Sequence, residues 1–239
     1  MPGPIIELNG LTKRFGSQYA LRGVNISIDE GDSFALLGPN GAGKTTIVRI
    51  LSTLLRPSSG TVRIAGFDST KETQKVKKVI GVVSHNTFLY DELTAMENLQ
   101  FYAGAYGVDV RIAHSLLEKI GLLDRAHDFV GDFSRGMKQR LSIARSLLHD
   151  PKILILDEPS TGLDLQGKRV FYEIIEELNS EGKTILLTTH QMEEAERLCK
   201  KAAVLYKGKV KAIGNLKDIK GTEGLDDAFL RLTQGGDEE

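Results

Sequence analysis

Cysteine, tryptophan and long apolar runs are what this chain of 239 residues lacks most clearly. It contains one cysteine, Cys199, and no tryptophan. A single cysteine excludes an internal disulfide framework and fits a reducing compartment. A membrane-spanning helix needs about 20 apolar residues, and no such run is present. The N-terminus also has no basic and apolar signal-peptide pattern. We therefore expect a soluble, intracellular protein that is not itself a membrane channel.

An excess of either charge is also missing. Lys and Arg total 31 against 32 Asp and Glu, which gives a net charge of −1. Since a dedicated nucleic-acid binder carries a strong positive field, we expect no nucleic-acid partner. Proline is scarce at 6 residues, whereas glycine is abundant at 25. Abundant glycine without proline favours tight functional loops over linkers or disorder.

The hydrophobic pattern predicts strands that alternate with helices, interrupted by a helical region. Segments 5–8 and 24–28 predict two antiparallel strands. The apolar segment Phe34–Leu37 predicts a buried strand that enters a glycine-rich turn and then a helix. From about 92 to 149 the pattern is helical, and strand–helix alternation then resumes, with a strand at Thr184–Thr189.

A phosphate-binding motif lies between the predicted strand and the following helix. Gly38-Pro-Asn-Gly-Ala-Gly-Lys44-Thr45 matches the pattern Gly-x4-Gly-Lys-Ser/Thr. Its glycines allow backbone N–H groups to face phosphate oxygens, and the helix N-terminus adds its positive dipole. Lys44 would neutralise the β- and γ-phosphates, and Thr45 would offer its hydroxyl to Mg²⁺. The residues assigned to the nucleotide here are Gly38, Pro39, Asn40, Gly41, Ala42, Gly43, Lys44, Thr45 and Thr46.

Two acidic residues follow the apolar segment Ile153–Leu156. Asp157 ends that strand, where its carboxylate can hold Mg²⁺ beside the phosphate loop. Glu158 is placed to polarise a water molecule against the γ-phosphate. Lys44 and Asp157 are 113 residues apart, which is too far for a loop, so a subdomain is predicted between them.

Taken in order, these motifs resemble the ATP-binding subunits of ABC transporters. Phe133-Ser134-Arg135-Gly136-Met137 stands where the family has its signature, Leu-Ser-Gly-Gly-Gln. Ser160–Asp164 resembles the loop that crosses the dimer interface, and His190 resembles the switch histidine that contacts the γ-phosphate. The resemblance implies that Ser134 and Gly136 of one copy cover the γ-phosphate bound by a second copy.

The resemblance also implies roles for single residues. Glu158 would be the catalytic base, with His190 as the group that positions the γ-phosphate, and Asp164 would belong to the nucleotide site. Phe15 stands where the family places an aromatic that stacks on adenine, and Tyr19 is the alternative.

The chain departs from the family pattern at the signature and at His85. Arg135 and Met137 replace a Gly and a Gln of the signature, although Ser134, a helix-capping residue type, and Gly136, which together would face the phosphate, are kept. Where His85 stands the family has Gln, whose oxygen reaches Mg²⁺ and the attacking water. Imidazole is a poor Mg²⁺ ligand because Mg²⁺ prefers oxygen. We expect His85 to contact the water or the γ-phosphate, with weakened metal coordination. Asn86 is the alternative, and a merely exposed His85 is the third possibility.

The fold that the resemblance implies is α/β, with a phosphate-loop NTPase (RecA-like) core, an N-terminal antiparallel β subdomain and an inserted α-helical subdomain. The whole chain, 1–239, would form one such domain. Its ATP-binding core with the β subdomain would comprise 1–83 and 150–215, and its helical signature subdomain 84–149. Residues 216–239 would form a short C-terminal extension that ends in a disordered tail.

The implied cofactors and partners are ATP, Mg²⁺, a second copy in an ATP-dependent homodimer, and a separate membrane-spanning permease. The chain would lie in the cytoplasm, peripherally on the inner face of the cell membrane, with the permease docked at Phe88–Asn98. The segment 185–196 resembles drug-efflux exporters, and 81–94 resembles the haem-export ATPases of cytochrome c maturation. The alternative is a soluble, non-transport ABC ATPase such as an iron–sulphur assembly ATPase. A non-catalytic nucleotide sensor is disfavoured by Glu158 and His190.

Overall fold

Two β-sheets and a set of helices form the part of the chain that the computed structural model describes, residues 3–234. The tail at 235–239, for which the sequence predicts disorder, lies outside these residues. The strands are β1 (Ile6–Phe15), β2 (Gln18–Ile28), β3 (Ser33–Leu37), β4 (Ser59–Ile64), β5 (Phe67–Asp68), β6 (Ile80–Ser84), β7 (Ile153–Asp157), β8 (Thr184–Thr189), β9 (Lys201–Tyr206) and β10 (Lys209–Asn215). The helices are α1 (Lys44–Leu51), α2 (Thr73–Val79), α3 (Ala95–Tyr106), α4 (Ile112–Lys119), α5 (Arg135–Leu147), α6 (Leu165–Ser180), α7 (Met192–Leu198), α8 (Leu216–Lys220) and α9 (Leu225–Gln234), with 3-10 turns at Leu123–Arg125 and Val130–Asp132.

The larger sheet has the strand order β10-β9-β3-β8-β7-β6, and only the β10–β9 pair is antiparallel. Strands β3, β7 and β8 are buried along their whole length, as expected of a parallel sheet that is covered on both faces. The carboxyl ends of these strands meet at one edge, where the register pairs Leu37 with Thr189 and Asp157 with both Thr188 and Ser84. The same edge of the sheet therefore carries the phosphate loop, Glu158, His190 and His85.

Alternate residues of these strands face two different hydrophobic cores. On one face, Leu154 and Leu156 pack in a core that includes residues of α3 to α7. On the other face, Ile153 and Ile155 pack in a core with α1 and the smaller sheet. Because successive side chains of a strand point to opposite faces, the continuous apolar segment serves both cores.

The smaller sheet is antiparallel, with the strand order β2-β1-β4-β5. The two N-terminal antiparallel strands are thus confirmed, and they extend well beyond the segments 5–8 and 24–28. Gly60 of β4 has φ +86°, and a Cβ atom there would lie 2.4 Å from the carbonyl oxygen of Gly10. Only glycine allows the two strands to come this close.

The predicted helical region contains α3, α4 and α5. It begins later than residue 92, because Thr94 caps α3 in a reciprocal capping box with Glu97. The Ser134 hydroxyl accepts from the backbone N–H of Met137 at 3.3 Å, which confirms the predicted cap of α5. Within residues 3–234, none of the helices combines the length and apolar character needed to cross a bilayer.

Candidate active site

The phosphate loop is a tight turn between β3 and α1 that requires glycine. Gly41 and Gly43 have φ values of +81° and +111°. A Cβ atom at Gly43 would lie 2.7 Å from Leu21 Cδ2 and 2.8 Å from the carbonyl oxygen of Ala20. The loop borders a cleft of about 150 Å³, which we call the phosphate cleft. Its lining residues are Ala20, Pro39, Asn40, Gly41, Gly43, Lys44, Thr45, Thr46 and Glu158.

Lys44, the first residue of α1, has an almost fully buried side chain whose ammonium group has its hydrogen-bond partners within the chain. It is 5% exposed, and its Nζ donates to the carbonyl oxygens of Gly38 at 2.5 Å and Pro39 at 3.3 Å. Its Nζ also lies 3.4 Å from Glu158 Oε1. A buried ammonium group must be paired, so these contacts fix the lysine across the loop that is expected to bind phosphate.

Glu158 lies between Lys44 and His190. Its Oε2 is 2.7 Å from His190 Nδ1, while Oε1 faces the Lys44 ammonium. Its backbone has φ +49°, a left-handed conformation that is strained for a residue with a side chain, and its N–H donates to the carbonyl oxygen of Thr188 at 3.0 Å. Strain of this kind, about 1–3 kcal/mol, is typical of functional sites. Of the three predicted catalytic residues, Glu158, His190 and His85, the structure thus brings the first two into direct contact.

The oxygen groups predicted to hold Mg²⁺ lie at the same edge of the sheet. Asp157 is buried, and its Oδ1 accepts from the Thr188 hydroxyl at 2.6 Å. Thr45 is exposed on the phosphate cleft. Among the described residues, no cluster of three or more His, Cys, Asp or Glu side chains could hold a metal ion. One carboxylate and one hydroxyl fit Mg²⁺ because this ion is held mainly by water and substrate phosphates.

His85 follows β6 and is exposed, as is its neighbour Asn86. The register pairs Ser84 with Asp157, so His85 and Glu158 emerge from adjacent strands. Imidazole nitrogen does not match the oxygen preference of Mg²⁺. The structure therefore places His85 next to the sheet edge that is predicted to bind Mg²⁺, and its assignment to the metal or to the attacking water stays a prediction.

The signature residues line a second, separate cleft of about 360 Å³, which we call the signature cleft. Ser134 caps α5, and Asp164 caps α6 by accepting from the backbone N–H of Gly167 at 2.7 Å. Gly136 also lines this cleft. The structure brings Lys44 and Glu158 together, but it groups Ser134, Gly136 and Asp164 elsewhere on the same chain.

Both candidate adenine-stacking aromatics lie near the hairpin between β1 and β2. Phe15 is 51% exposed, and the Lys13 ammonium lies 5.1 Å from its ring centroid. Tyr19 is also exposed, and its ring contacts the guanidinium of Arg22 at 5.4 Å. Both rings are exposed and each has a cationic side chain beside it, so both assignments stay predictions.

Residues 21–161 match the sequence model of the ABC transporter family. The chain belongs to this family. The linearmycin resistance ATP-binding protein LnrL of Bacillus subtilis is 38% identical over 236 residues, which cover 97% of this chain and 76% of LnrL. The Nod factor export ATP-binding protein I of Burkholderia lata is 40% identical over 218 residues, which cover 90% of this chain and 72% of the relative. These similarities confirm the resemblance inferred from the motifs.

A solved structure also matches the fold. The ATP-binding cassette MJ0796, determined as a dimer in a post-hydrolysis state with ADP and inorganic phosphate, superposes with a TM-score of 0.78 at 28% identity. The alignment covers 88% of this chain and 98% of that chain. The expected α/β phosphate-loop fold is confirmed, and the chain is an ATP-binding subunit of the ABC transporter family. The soluble, non-transport alternative is not favoured.

Sequence reasoning missed a polar network behind His190. Lys168 Nζ donates to Gln191 Oε1 at 2.7 Å, and the Gln191 N–H donates to the Thr189 hydroxyl at 3.0 Å.

Glu194 is 1% exposed, and neither of its carboxylate oxygens has a hydrogen-bond partner among the described residues. Burial raises the pKa of Glu194, and the nearby Thr189 hydroxyl offsets part of this shift. The sequence signal for the burial of Glu194 was its position four residues before Leu198, which places it on the buried face of α7.

Proposed function

We propose that this ATP-binding subunit hydrolyses ATP between two copies of itself and thereby powers export through a separate membrane-spanning subunit. The observation that carries the proposal is the contact chain from Lys44 through Glu158 to His190 at the carboxyl edge of the parallel sheet. Ligands of open α/β sheets bind at this edge.

In the proposed reaction, Lys44 binds the β- and γ-phosphates and Glu158 accepts a proton from the attacking water. The water oxygen forms a bond to the γ-phosphorus. The bond from that phosphorus to the bridging oxygen breaks, and ADP leaves with the electron pair. His190 holds the Glu158 carboxylate through Nδ1 and contacts the γ-phosphate. Lys44 and His190 both contact Glu158, so the three residues are already grouped at the site before the nucleotide binds.

Mg²⁺ would be held by the Thr45 hydroxyl and the Asp157 carboxylate, and it would neutralise charge on the phosphates. We propose that His85 contacts the attacking water or the γ-phosphate. Its place at the strand end beside Asp157 supports this role, and Asn86 is the alternative. Turnover measured against Mg²⁺ concentration in His85→Gln and Asn86→Ala tests both. If neither substitution changes turnover or Mg²⁺ dependence, both assignments are wrong.

The two-copy arrangement is supported by the separation of the phosphate and signature clefts. The neutral Ser134 hydroxyl caps α5, whose N-terminus keeps a partial positive charge, whereas Asp164 caps α6 with a carboxylate. Such a surface attracts an anion, and in a sandwich of two copies the γ-phosphate on the partner's phosphate loop would supply it. The related cassette MJ0796 has been solved as a dimer.

A surface of aromatic residues supports docking of a permease at Phe88–Asn98. The aromatic patch consists of Phe88, Tyr90, Phe101 and Tyr102. Tyr90 and Phe101 pack edge to face at 5.1 Å, and Phe88 is 64% exposed. Exposed aromatic clusters mark protein interaction sites. A subunit held there would lie on the inner face of the membrane. Export is the proposed direction because a relative is named for Nod factor export.

Co-purification from the native cell in mild detergent tests the transport assignment. The tagged full chain is expected to retain a polytopic membrane protein, and Phe88→Glu is expected to release it. Leu54→Glu is the matched control, because Leu54 is 77% exposed and lies outside the patch. Recovery of a soluble scaffold protein instead, or equal loss from both variants, would contradict this assignment.

A further inference from the structure

We propose that Arg135 is a positioning residue that ties the signature turn (Ser134–Met137) to the interface loop (Ser160–Asp164) of the same chain. The two segments would then meet the partner copy as one unit. This inference rests on the proposed two-copy site, but the contact itself lies within one chain and can be tested without a partner.

The contact between the two segments is direct. Arg135 Nε donates to the carbonyl oxygen of Thr161 at 2.9 Å. The guanidinium also lies against Gly162, where a Cβ atom would be 2.8 Å from Nε and 3.0 Å from Cζ. Gly162 has φ +76°, so a side chain there would be strained as well as crowded. The loop is thus shaped to accept the arginine.

The interface loop is anchored at both ends, and Arg135 adds a contact near its start, at Thr161. At the start, the Thr161 N–H lies 3.3 Å from the carbonyl oxygen of Glu158. At the end, Asp164 caps α6. A displacement of the loop at Thr161 would therefore also shift Glu158 and the start of α6.

The N-termini of α5 and α6 also meet at a glycine contact. A Cβ atom at Gly136 would lie 3.6 Å from Gly167 Cα, an ordinary packing distance between two backbones. The Arg135 contact links α5 to the interface loop, and this glycine contact links α5 to α6, which follows that loop. Two such links make the signature turn and the interface loop a single surface.

Arginine suits this position better than the family's glycine or a lysine. The guanidinium has five N–H donors in a fixed plane, and Nε uses only one of them on Thr161. Arg135 also lines the signature cleft with Ser134 and Gly136, so it can hold the loop and still present positive charge there. Lysine would keep the charge but has no Nε donor beside the loop.

The first test is hydrogen exchange of the interface loop in the full chain without nucleotide. We expect Arg135→Ala and Arg135→Lys to speed exchange of the Thr161 and Leu163 amides several-fold. The matched control is Arg169→Ala, which removes the same charge from α6 and breaks a surface pair with Glu173. Unchanged exchange in Arg135→Ala, rescue by Arg135→Lys, or equal acceleration by Arg169→Ala would overturn the proposal.

The second test measures the ATP concentration needed for dimerisation, with Glu158→Gln as the background that blocks turnover. We expect Arg135→Ala to raise the midpoint about fivefold, whereas its intrinsic binding of nucleotide as a monomer stays unchanged. A midpoint that does not move would show that the loop contact has no role in assembly. If Glu158→Gln alone forms no ATP-dependent dimer, the proposed function fails, and the exchange measurement still decides whether Arg135 holds the loop.

Discussion

The phosphate cleft and the signature cleft differ in where their charges find partners. In the phosphate cleft, the Lys44 ammonium is buried and paired with Gly38, Pro39 and Glu158 of its own chain. In the larger signature cleft, the capped N-termini of two helices face an open space. In the phosphate cleft the N-terminus of α1 has no side-chain cap, whereas both helix N-termini at the signature cleft are capped, one by the Ser134 hydroxyl and one by the Asp164 carboxylate. In the proposed two-copy arrangement, each chain holds a nucleotide at its own phosphate cleft and a second copy encloses it.

The sharpest expected effect is on turnover, in the phosphate cleft. Glu158→Gln keeps the size of the side chain but cannot accept a proton, so ATP turnover is expected to fall by at least about 10²-fold. Phosphate release gives the rate, and nucleotide titration provides the control, because the loop contacts of Lys44 stay in place. Turnover within tenfold of that of the unsubstituted chain would show that Glu158 is not the catalytic base.

The next largest effect is on nucleotide affinity. Lys44→Ala removes the cation that faces the phosphates, and hydrogen bonds to charged groups contribute about 1.5–3 kcal/mol. ATP affinity is therefore expected to fall about 10- to 100-fold in calorimetric titration. Lys152→Ala is the control, because this exposed lysine pairs with Glu30 on the surface. If both variants bind ATP equally well, the phosphate cleft is not the nucleotide site.

A smaller effect, on ATP-dependent dimerisation, is expected at the signature cleft and not at an ordinary helix N-terminus. Ser134→Ala and Thr94→Ala each remove an N-cap, and each should lower the free energy of unfolding by about 1 kcal/mol. Only Ser134→Ala should also weaken ATP-dependent dimerisation, since Thr94 caps α3 and does not line the signature cleft. Denaturant unfolding and sizing chromatography provide the two readouts. Equal dimerisation in the two variants would mean that Ser134 only caps α5 and has no role in dimerisation.

The smallest effect concerns the buried carboxyl behind His190. Because burial raises the pKa of Glu194, the folded state binds its proton more tightly than the unfolded state. Stability is therefore lost as the pH rises above the ordinary carboxyl value of 4.5 towards the raised folded value. Glu194→Gln should be more stable than the unsubstituted chain at pH 7.5 by about 1 kcal/mol, and this gain should shrink towards pH 4.5.

Glu193→Gln is the matched control for this pH dependence, because Glu193 is its exposed neighbour on α7. Its unfolding free energy should follow that of the unsubstituted chain at every pH. A Glu194→Gln variant that also does so would mean that Glu194 is hydrated and not buried.

Features that depend on neighbouring residues were predictable from the sequence. The phosphate loop and the Ser134 cap each need only a few adjacent residues, and the strand Thr184–Thr189 has the predicted bounds. Strands β1 and β2 were predicted too short. Their pairing shifts register after Leu8, which interrupts the alternation of apolar and polar residues that marks a strand.

Contacts made between distant elements were not predictable. Arg135 differs from the family residue, but nothing in the sequence pairs it with Thr161, 26 residues away. Glu194 belongs to a strongly charged segment that is typical of a solvated helix, and its spacing from Leu198 is too weak a signal to predict that it is buried. The order of the motifs likewise indicates which residues form the site, whereas the separation into two clefts requires the fold.

The most direct test of the two-copy account is the mass of the Glu158→Gln chain measured by light scattering with and without ATP. The account predicts a monomer without ATP and twice that mass with ATP. It also predicts that adding Ser134→Arg, which fills the signature cleft, restores the monomer while leaving nucleotide binding intact. A chain that stays monomeric with ATP, or a dimer that survives Ser134→Arg, would contradict it.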